Sequence, residues 1–197
     1  MRYDAEHKQK THAKLLKAAA KAIRVEGPHR IGVAEVMAEA GLTHGGFYAH
    51  FASKDDLVAA AIGQMFEEAR ARFAQETQDR PPAQALGAYI DFYLSTGHRD
   101  ARSRGCPVAA LASDLPRLSK QAIEEFAAGA ASLKAALAAQ LAQLGRADAE
   151  REANSVLAEL VGALSLARVE PDAKRSDAIL ADSRHALKQR LRLEKMT

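Results

Sequence analysis

The chain has 197 residues, 48% of them apolar with Ala the commonest, which is enough for one large domain or a small domain joined to a larger one. A single Cys excludes an internal disulfide, and the lack of a secretory signal or of a membrane-length apolar run leads us to expect a cytoplasmic protein without membrane partners. The net charge is only +3, but residues 1–54 carry nine Lys or Arg against five Asp or Glu, and five of the seven His. This uneven distribution favours an anionic partner for the N-terminal segment.

Two helices are predicted before residue 42. The first runs from about Glu6 to Glu26 and ends at Gly27-Pro28, because Gly and Pro interrupt helices. Its lysines are interpreted as a solvated face, with one or two phosphate contacts as the alternative. The second begins near residue 33. The expected buried stripes are Leu15, Leu16, Ala19, Ala22 and Ile23 in the first helix and Val33, Val36, Met37 and Ala40 in the second.

Residues 41–57, called the motif segment below, combine unusual residue types at close spacing. The preceding apolar periodicity stops here, and Thr43 stands where its side-chain oxygen would cap a third helix that begins at His44. The adjacent Gly45 and Gly46 each lower helix stability by about 0.5–1 kcal/mol relative to Ala, which suggests that bare backbone is needed there. The N–H groups of such a helix start can approach an anion closely.

The third helix is expected to have two faces. Phe47 and Phe51 are four residues apart and are predicted to face the core. The residues expected to keep polar atoms outward are Thr43, His44, Tyr48 and His50. The second and third helices together predict a helix-turn-helix, whose third helix would enter the major groove of DNA.

A further helix is predicted to begin after Ser53, which has the spacing of a capping box with Asp56. Lys54 then lies in the first turn of that helix, where the helix dipole makes a cation unfavourable. A phosphate oxygen beside this turn would explain Lys54, the two glycines and the polar face together.

These residues resemble a known family. They are similar to the DNA-binding signature of the TetR (tetracycline-repressor-like) family of bacterial transcriptional regulators. The matching residues are Gly41-Leu42-Thr43, Gly45, Phe47-Tyr48, His50-Phe51, Ser53-Lys54-Asp55 and Leu57. The resemblance implies a homodimer that binds palindromic double-stranded operator DNA, with a helical C-terminal domain that binds a small-molecule inducer. It favours repression. Gly32 departs from the family pattern, because many members have Ser or Thr there, touching a phosphate.

The predicted domains are a three-helix DNA-binding domain over residues 1–53 and an effector-binding and dimerisation domain over residues 54–197. The resemblance implies operator contacts at Thr43, Gly45, Tyr48, His50 and Lys54. His44 and Gly46 are added as predicted DNA contacts because they lie in the same helix start, whose N–H groups can approach an anion. The fold predicted for the whole chain is all-α with about nine helices. The helices after the motif are expected at about 54–77, 83–95, 106–112, 119–144, 147–168 and 175–193, with residues 96–105 as a polar loop.

The last two helices carry small residues such as Gly162 and Ala163 beside a broad apolar face. We expect them to pair with their copies in a four-helix homodimer interface. The alternative is that they pack only on their own core.

An effector pocket is expected between the fifth, sixth, seventh and eighth helices, lined by Tyr89, Phe92, Tyr93 and Phe126, and Cys106 is the fifth candidate effector-binding residue. The alternative is that these four aromatic residues are ordinary core. Cys106 begins a helix close to Arg102 and Arg104, which would favour its thiolate and make it a sensor of electrophiles or oxidants. A small buried hydrophobe is the alternative for this residue.

Two other classes of protein remain as alternatives. A helical enzyme or ligand carrier would use His44, His50 and Lys54 chemically, but the chain has no His-Glu-x-x-His spacing and no nucleophile with an identifiable base. A non-specific architectural DNA binder is the other alternative. We predict a regulator that is not an enzyme and needs no metal or cofactor.

Overall fold

The computed structural model describes residues 2–193, and within that range the fold is all-α, which confirms the predicted class. The α-helices are α1 (Arg2–Glu26), α2 (Val33–Glu39), α3 (Lys54–Thr77), α4 (Pro82–Tyr93), α5 (Thr96–Asp100), α6 (Pro107–Leu111), α7 (Lys120–Gln143), α8 (Ala149–Val169) and α9 (Ala173–Leu191). Three short 3-10 helices cover His44–Ala49, Arg102–Arg104 and Leu115–Arg117.

Local side-chain caps account for several helix starts. The Ser53 hydroxyl accepts the Asp56 N–H at 3.1 Å, so the serine half of the predicted capping box is present at the start of α3. Ser119 and Asp172 cap α7 and α9 in the same way. At the other end of α2, Gly41 has a φ of +75°, the left-handed conformation in which Gly ends a helix without strain.

Residues 96–105 form α5 and a 3-10 helix and not the predicted polar loop. The Ser95 hydroxyl accepts the His98 N–H at 3.1 Å and caps α5. Arg168 of α8 then donates from Nε to the carbonyl oxygen of Arg99, at 3.2 Å, and from Nη2 to that of His98, at 3.3 Å. These contacts from a distant helix order a segment whose composition is typical of a loop.

The buried side chains form two clusters. The first core joins α1, α2, the 3-10 helix His44–Ala49 and the first half of α3. The second core joins α4, α7, α8 and α9 with the last turns of α3. Because α3 and α7 both contribute to the two cores, these two long helices connect the N-terminal helices to the rest of the chain.

The crossing of α3 and α7 is unusually close. A Cβ atom on Gly129 of α7 would lie 2.2 Å from the ring of Phe66 on α3, so only Gly allows the ring to lie against the α7 backbone. The ring of Phe66 also meets that of Phe126 edge to face, with centroids 5.2 Å apart. This contact fixes the position of α3 between the two cores.

Candidate nucleic-acid interface and cavity

The third helix of the motif segment is a 3-10 helix, His44–Ala49, and not the α-helix that was expected. Thr43 occupies the predicted N-cap position, but its side chain accepts no capping hydrogen bond, so that part of the prediction is wrong. The Gly46 N–H bonds instead to the Thr43 carbonyl oxygen at 3.0 Å. Two adjacent glycines weaken the α-helical alternative, which is consistent with the tighter turn.

The two glycines have different surroundings. A Cβ at Gly45 would meet nothing within 4 Å, and Gly45 is exposed together with Thr43 and His44. A Cβ at Gly46 would lie 3.5 Å from the Met37 side chain, because Gly46 faces α2. Bare backbone is therefore open to a partner at Gly45, while Gly46 lies partly inside the helix-turn-helix.

Tyr48 stands out from the surface on a buried aromatic base. Its exposed fraction is 75%, whereas Phe47 and Phe51 are only 3% and 7% exposed. The ring of Phe47 packs edge to face with Tyr48, at 5.3 Å between centroids. The buried phenylalanine restricts where the exposed tyrosine ring can lie, and this orients it for contact with a partner.

His50 is half-buried, so its ring is less accessible than the sequence predicted. Its Nδ1 atom is buried and has no hydrogen-bond partner within the described residues. Burial, followed by the charges of His12 and Lys8 on α1, lowers the pKa of His50 below its usual value. His12, which sequence reasoning missed, lies 5.9 Å from His50 and stacks on Phe51 at 4.9 Å between ring centroids.

Lys54 already has an internal partner. Its Nζ donates to the carbonyl oxygen of His29 at 3.0 Å, so the side chain links the turn after α1 to the first turn of α3. This bond offsets some of the unfavourable position of a cation at a helix start. Lys54 remains half-exposed beside the motif segment.

A cavity of about 660 Å³ lies where α1, α3 and α4 meet the segment that follows α5. Its lining residues are Lys17, Lys21, Arg24, Glu68, Ala69, Arg72, Tyr89, Phe92, Tyr93, His98, Ser103, Arg104, Gly105, Cys106 and Leu133. Four of the five predicted effector residues, Tyr89, Phe92, Tyr93 and Cys106, are brought together here. The volume lies in the range of small-molecule sites.

Two expectations about the cavity are corrected. Phe126 does not line it, because Phe126 lies on α7 two turns before the lining residue Leu133 and packs in the first core. No lining residue comes from α8, and one wall is formed instead by α1, through Lys17, Lys21 and Arg24. The sequence separation between α1 and the other walls left no local signal for this arrangement.

Arg24 connects α1 to the cavity walls. Its side chain is buried, donates from Nε to the Gly105 carbonyl oxygen at 3.0 Å and from Nη2 to the Met65 carbonyl oxygen at 3.3 Å. The same guanidinium forms an ion pair with Glu68 at 2.8 Å. A single side chain therefore holds the end of α1 against α3 and the turn before Cys106.

His98 is a second buried polar group that sequence reasoning missed, although the Ser95–His98 spacing was a usable capping signal. Its Nδ1 lies 2.8 Å from the Tyr93 carbonyl oxygen, and its Nε2 lies 3.2 Å from the Cys106 backbone nitrogen. A carbonyl only accepts and an N–H only donates, so the ring is neutral with its proton on Nδ1. Burial lowers the pKa of His98 to about 4.

Cys106 is buried at 5% exposure, in agreement with the small-hydrophobe alternative, yet it also lines the cavity. It is the N-cap residue of α6, while the neighbouring Arg102 and Arg104 side chains are exposed. Within the described residues, the buried Tyr93 hydroxyl has no hydrogen-bond partner of standard geometry, and the Cys106 thiol is close enough to act on it. Burial, with a smaller effect of Cys106, raises the pKa of Tyr93 well above its usual value, so the hydroxyl stays protonated.

Within residues 2–193, no helix combines the length and apolar content that a bilayer span requires. A group of three or more His, Cys, Asp or Glu side chains placed to hold a metal is also lacking in this range.

An exposed aromatic side chain on a compact helix-turn-helix, joined by one long helix to a helical body with a cavity, is the arrangement expected of a DNA-binding transcriptional regulator. Two family models match the chain: "Bacterial regulatory proteins, tetR family" over residues 15–61, and "Transcriptional regulator LmrA/YxaF-like, C-terminal domain" over residues 82–181. The chain therefore belongs to the TetR family of transcriptional regulators. Membership of this family makes it a regulator and not an enzyme.

A curated relative is the uncharacterized HTH-type transcriptional regulator YfiR of Bacillus subtilis (strain 168), 26% identical over 103 residues. That match covers 52% of this chain and 50% of the relative, so the chain spans about half the length of the curated relative it matches.

Solved structures match over nearly the whole length. A TetR-family transcriptional regulator from Agrobacterium tumefaciens is 27% identical with a TM-score of 0.76, covering 90% of this chain and 97% of that one. The reduced form of E. coli NemR has a TM-score of 0.79 at 21% identity, with 91% and 97% of the two chains covered, and shows similarity of fold alone.

The neutral His98 makes stability depend on pH. Between pH 6.5 and pH 4 the unfolded chain takes up a proton at this position that the folded protein excludes. The contribution of His98 to the free energy of unfolding is therefore fully present above pH 6.5 and is lost as the pH falls towards 4. We expect the difference in free energy of unfolding between the parent and His98→Gln to shrink by up to about 3 kcal/mol from pH 7 to pH 4.

Urea unfolding of both proteins at fixed protomer concentration measures this difference. The other titrating groups are present in both proteins, so their pH dependence cancels in the difference between the two free energies of unfolding. A constant difference across the whole pH range would contradict a neutral His98.

Proposed function

We propose that this chain represses transcription as a homodimer, by binding a palindromic operator, and that a small-molecule effector releases it. The main evidence for this DNA-binding surface is the exposed side chain of Tyr48, which packs on the buried Phe47. Exposed Thr43, His44 and Gly45 lie beside it on the same short helix.

The proposed contacts divide by accessibility. Thr43, His44, Gly45 and Tyr48 contact the DNA directly, because their side chains or backbone are exposed. Lys54 adds a positive charge beside them, and a phosphate replaces or shares its bond to the carbonyl oxygen of residue 29.

Gly46 and His50 are also proposed as part of the DNA-binding surface, with a narrower role. Both are half-buried, so they set the position of the 3-10 helix His44–Ala49 and expose only part of themselves to the DNA. The lowered pKa of His50 keeps its ring mostly neutral at pH 7, so we assign it no phosphate charge contact.

The dimer interface is proposed on the outer faces of α8 and α9. Leu166 and Val169 of α8 are 60% and 76% exposed, which is unusual for apolar residues one turn apart. Gly162 lies one turn before them, and a Cβ there would meet nothing within 4 Å of the same chain. Small and apolar residues on one helical face are suited to close packing against a second copy.

The cavity is proposed as the effector site. Its walls belong both to α1, which packs against the helix-turn-helix, and to α4 and the segment after α5. An effector with different affinities for two arrangements of these walls shifts the population between them. In the arrangement it favours, the two DNA-binding segments no longer match the half-sites of the operator.

A second candidate mechanism is release by modification of Cys106. The thiol lines the cavity, so a small electrophile that enters the cavity reaches it even though the residue is buried. The NemR neighbour was solved in a form described as reduced, and its similarity to this chain is one of fold.

Operator binding tests the DNA surface. With the DNA that the protein selects from a random-sequence library, Lys54→Gln should reduce the slope of log affinity against log salt by about one charge. Gln is chosen because its amide can still donate to residue 29. Tyr48→Phe should weaken binding about three- to tenfold at unchanged slope, through loss of one hydrogen bond.

Arg80→Gln, which removes an exposed cation beyond the end of α3, is the matched control and should leave the slope unchanged. Fluorescence anisotropy at several salt concentrations provides the affinities. Selection of no palindrome, or equal slopes in the parent, Lys54→Gln and Arg80→Gln, would refute the proposed surface.

Gly162→Arg tests the dimer. The added side chain has open space in one protomer but would collide with a second copy at the proposed interface, so we expect monomers and loss of operator binding. Gly162→Ala adds one methyl group, favours the helix and should remain dimeric. Sedimentation velocity measures the oligomeric state of the parent and both variants, and a dimeric Gly162→Arg would place the interface elsewhere.

Cys106→Ser separates the two release mechanisms. If the thiol is the sensor, N-ethylmaleimide should release the parent from operator DNA and leave Cys106→Ser bound. Gel shifts before and after alkylation measure this. Equal release in the two proteins would exclude Cys106 as the site of action.

A further inference from the structure

The lining of the cavity has two chemically different parts. The floor is aromatic and apolar, formed mainly by Tyr89, Phe92, Tyr93 and Leu133. The charged part of the lining, called the rim below, has five cationic side chains and a single carboxylate, Glu68. The cations are Lys17, Lys21, Arg72 and Arg104, and Arg24, whose side chain is buried. The sequence places these cations far apart, and only the fold brings them to one opening.

Three of the rim cations are already paired. Arg24 pairs with Glu68 at 2.8 Å, and Lys21 pairs with Glu39 at 2.5 Å. Arg72 pairs more loosely with Glu76, at 3.4 Å, and its guanidinium lies 4.9 Å from the centre of the Phe92 ring. Carboxylates of the chain thus neutralise these three charges, and Arg72 is fixed over an aromatic residue of the floor.

Two rim cations have no such partner. Within the described residues, Lys17 of α1 and Arg104 of the 3-10 helix Arg102–Arg104 make no ion pair or side-chain hydrogen bond, and both are exposed. The two elements pack against each other, so both charges act on the same opening. Field lines from like charges at a low-dielectric cleft concentrate there and attract an anion.

We propose that the cavity binds a small amphipathic organic acid, whose carboxylate lies between Lys17 and Arg104 and whose apolar body covers the aromatic floor. The inference rests on the proposed effector role of the cavity and adds the chemical class of the ligand. An uncharged ligand leaves the two cations without a counter-charge, and a cationic ligand is repelled by them.

The position of these two cations also shows how such a ligand acts. Lys17 belongs to α1, which packs against the helix-turn-helix. Arg104 belongs to the turn that Arg24 already joins to α1 through the Gly105 carbonyl oxygen. A carboxylate bound by both cations adds a second link between the same two elements. The ligand therefore acts on α1 directly, without transmission through α3.

Three ligands of equal chain length test the charge preference: decanoate, decan-1-ol and decylammonium. Isothermal titration calorimetry of the full-length parent should give a dissociation constant for decanoate about tenfold lower than for decan-1-ol, as expected for charge-assisted bonds at an exposed rim. Decylammonium should bind more weakly than the alcohol.

Lys17→Gln and Arg104→Gln should each weaken decanoate binding about three- to tenfold and leave decan-1-ol binding unchanged within about twofold. Matched controls are Lys14→Gln, one turn earlier on α1, and Arg102→Gln, on the same 3-10 helix; neither side chain lines the cavity, and neither variant should change decanoate binding. Circular dichroism melting of each variant verifies that it is folded.

Equal affinities for decanoate and decan-1-ol, no binding of any of the three ligands, or unchanged decanoate binding in both cavity variants would each overturn the proposal. Operator binding is measured on the same proteins with and without decanoate. Charge-selective decanoate binding that leaves operator affinity unchanged would support the ligand class and contradict the regulatory role of the cavity, so the two failures are distinguishable.

Discussion

The buried guanidinium of Arg24 is the interaction on which the arrangement of this molecule depends. It joins the last turn of α1 to the Met65 carbonyl oxygen on α3 and to the Gly105 carbonyl oxygen before α6. Glu68 is 35% exposed, but the Arg24 side chain is buried, so loss of its partners leaves a buried charge with less compensation. The DNA-binding helices therefore cannot reorient freely against the body while this group remains paired with Glu68.

The same contact explains why the cavity has a wall from α1. Arg24 brings the C-terminal half of α1 against α3 and the turn after α5, and the space left between them is the cavity. A ligand in that space touches α1, which packs on the helix-turn-helix, and elements of the body together. If the cavity is the effector site, as proposed, coupling to DNA binding needs only a change at this junction, because α3 and the close Phe66–Gly129 crossing make the remaining connection stiff.

The motif segment shows how much local pattern can predict. Its helix-turn-helix, the buried Phe47 and Phe51 and the exposed Tyr48 follow from residue spacing. The partial burial of His50 does not, because it depends on packing against α1. The adjacent glycines weaken an α-helix but do not by themselves specify the 3-10 helix. His12 illustrates the difference: it lies far from His50 in sequence and reaches the ring only after α1 has folded across the segment.

By itself, the sequence determined the all-α class, the approximate bounds of the long helices and the faces that they bury. Apolar periodicity and capping residues act within a few turns, so they can be recognised without knowledge of the fold. The tertiary structure alone decided which surfaces meet: the α1 wall of the cavity, the neutral His98 between Tyr93 and Cys106, and the place of Phe126 outside the cavity. These features join residues that are distant in the chain or depend on which turn of a helix faces a neighbour, and only packing specifies such relations.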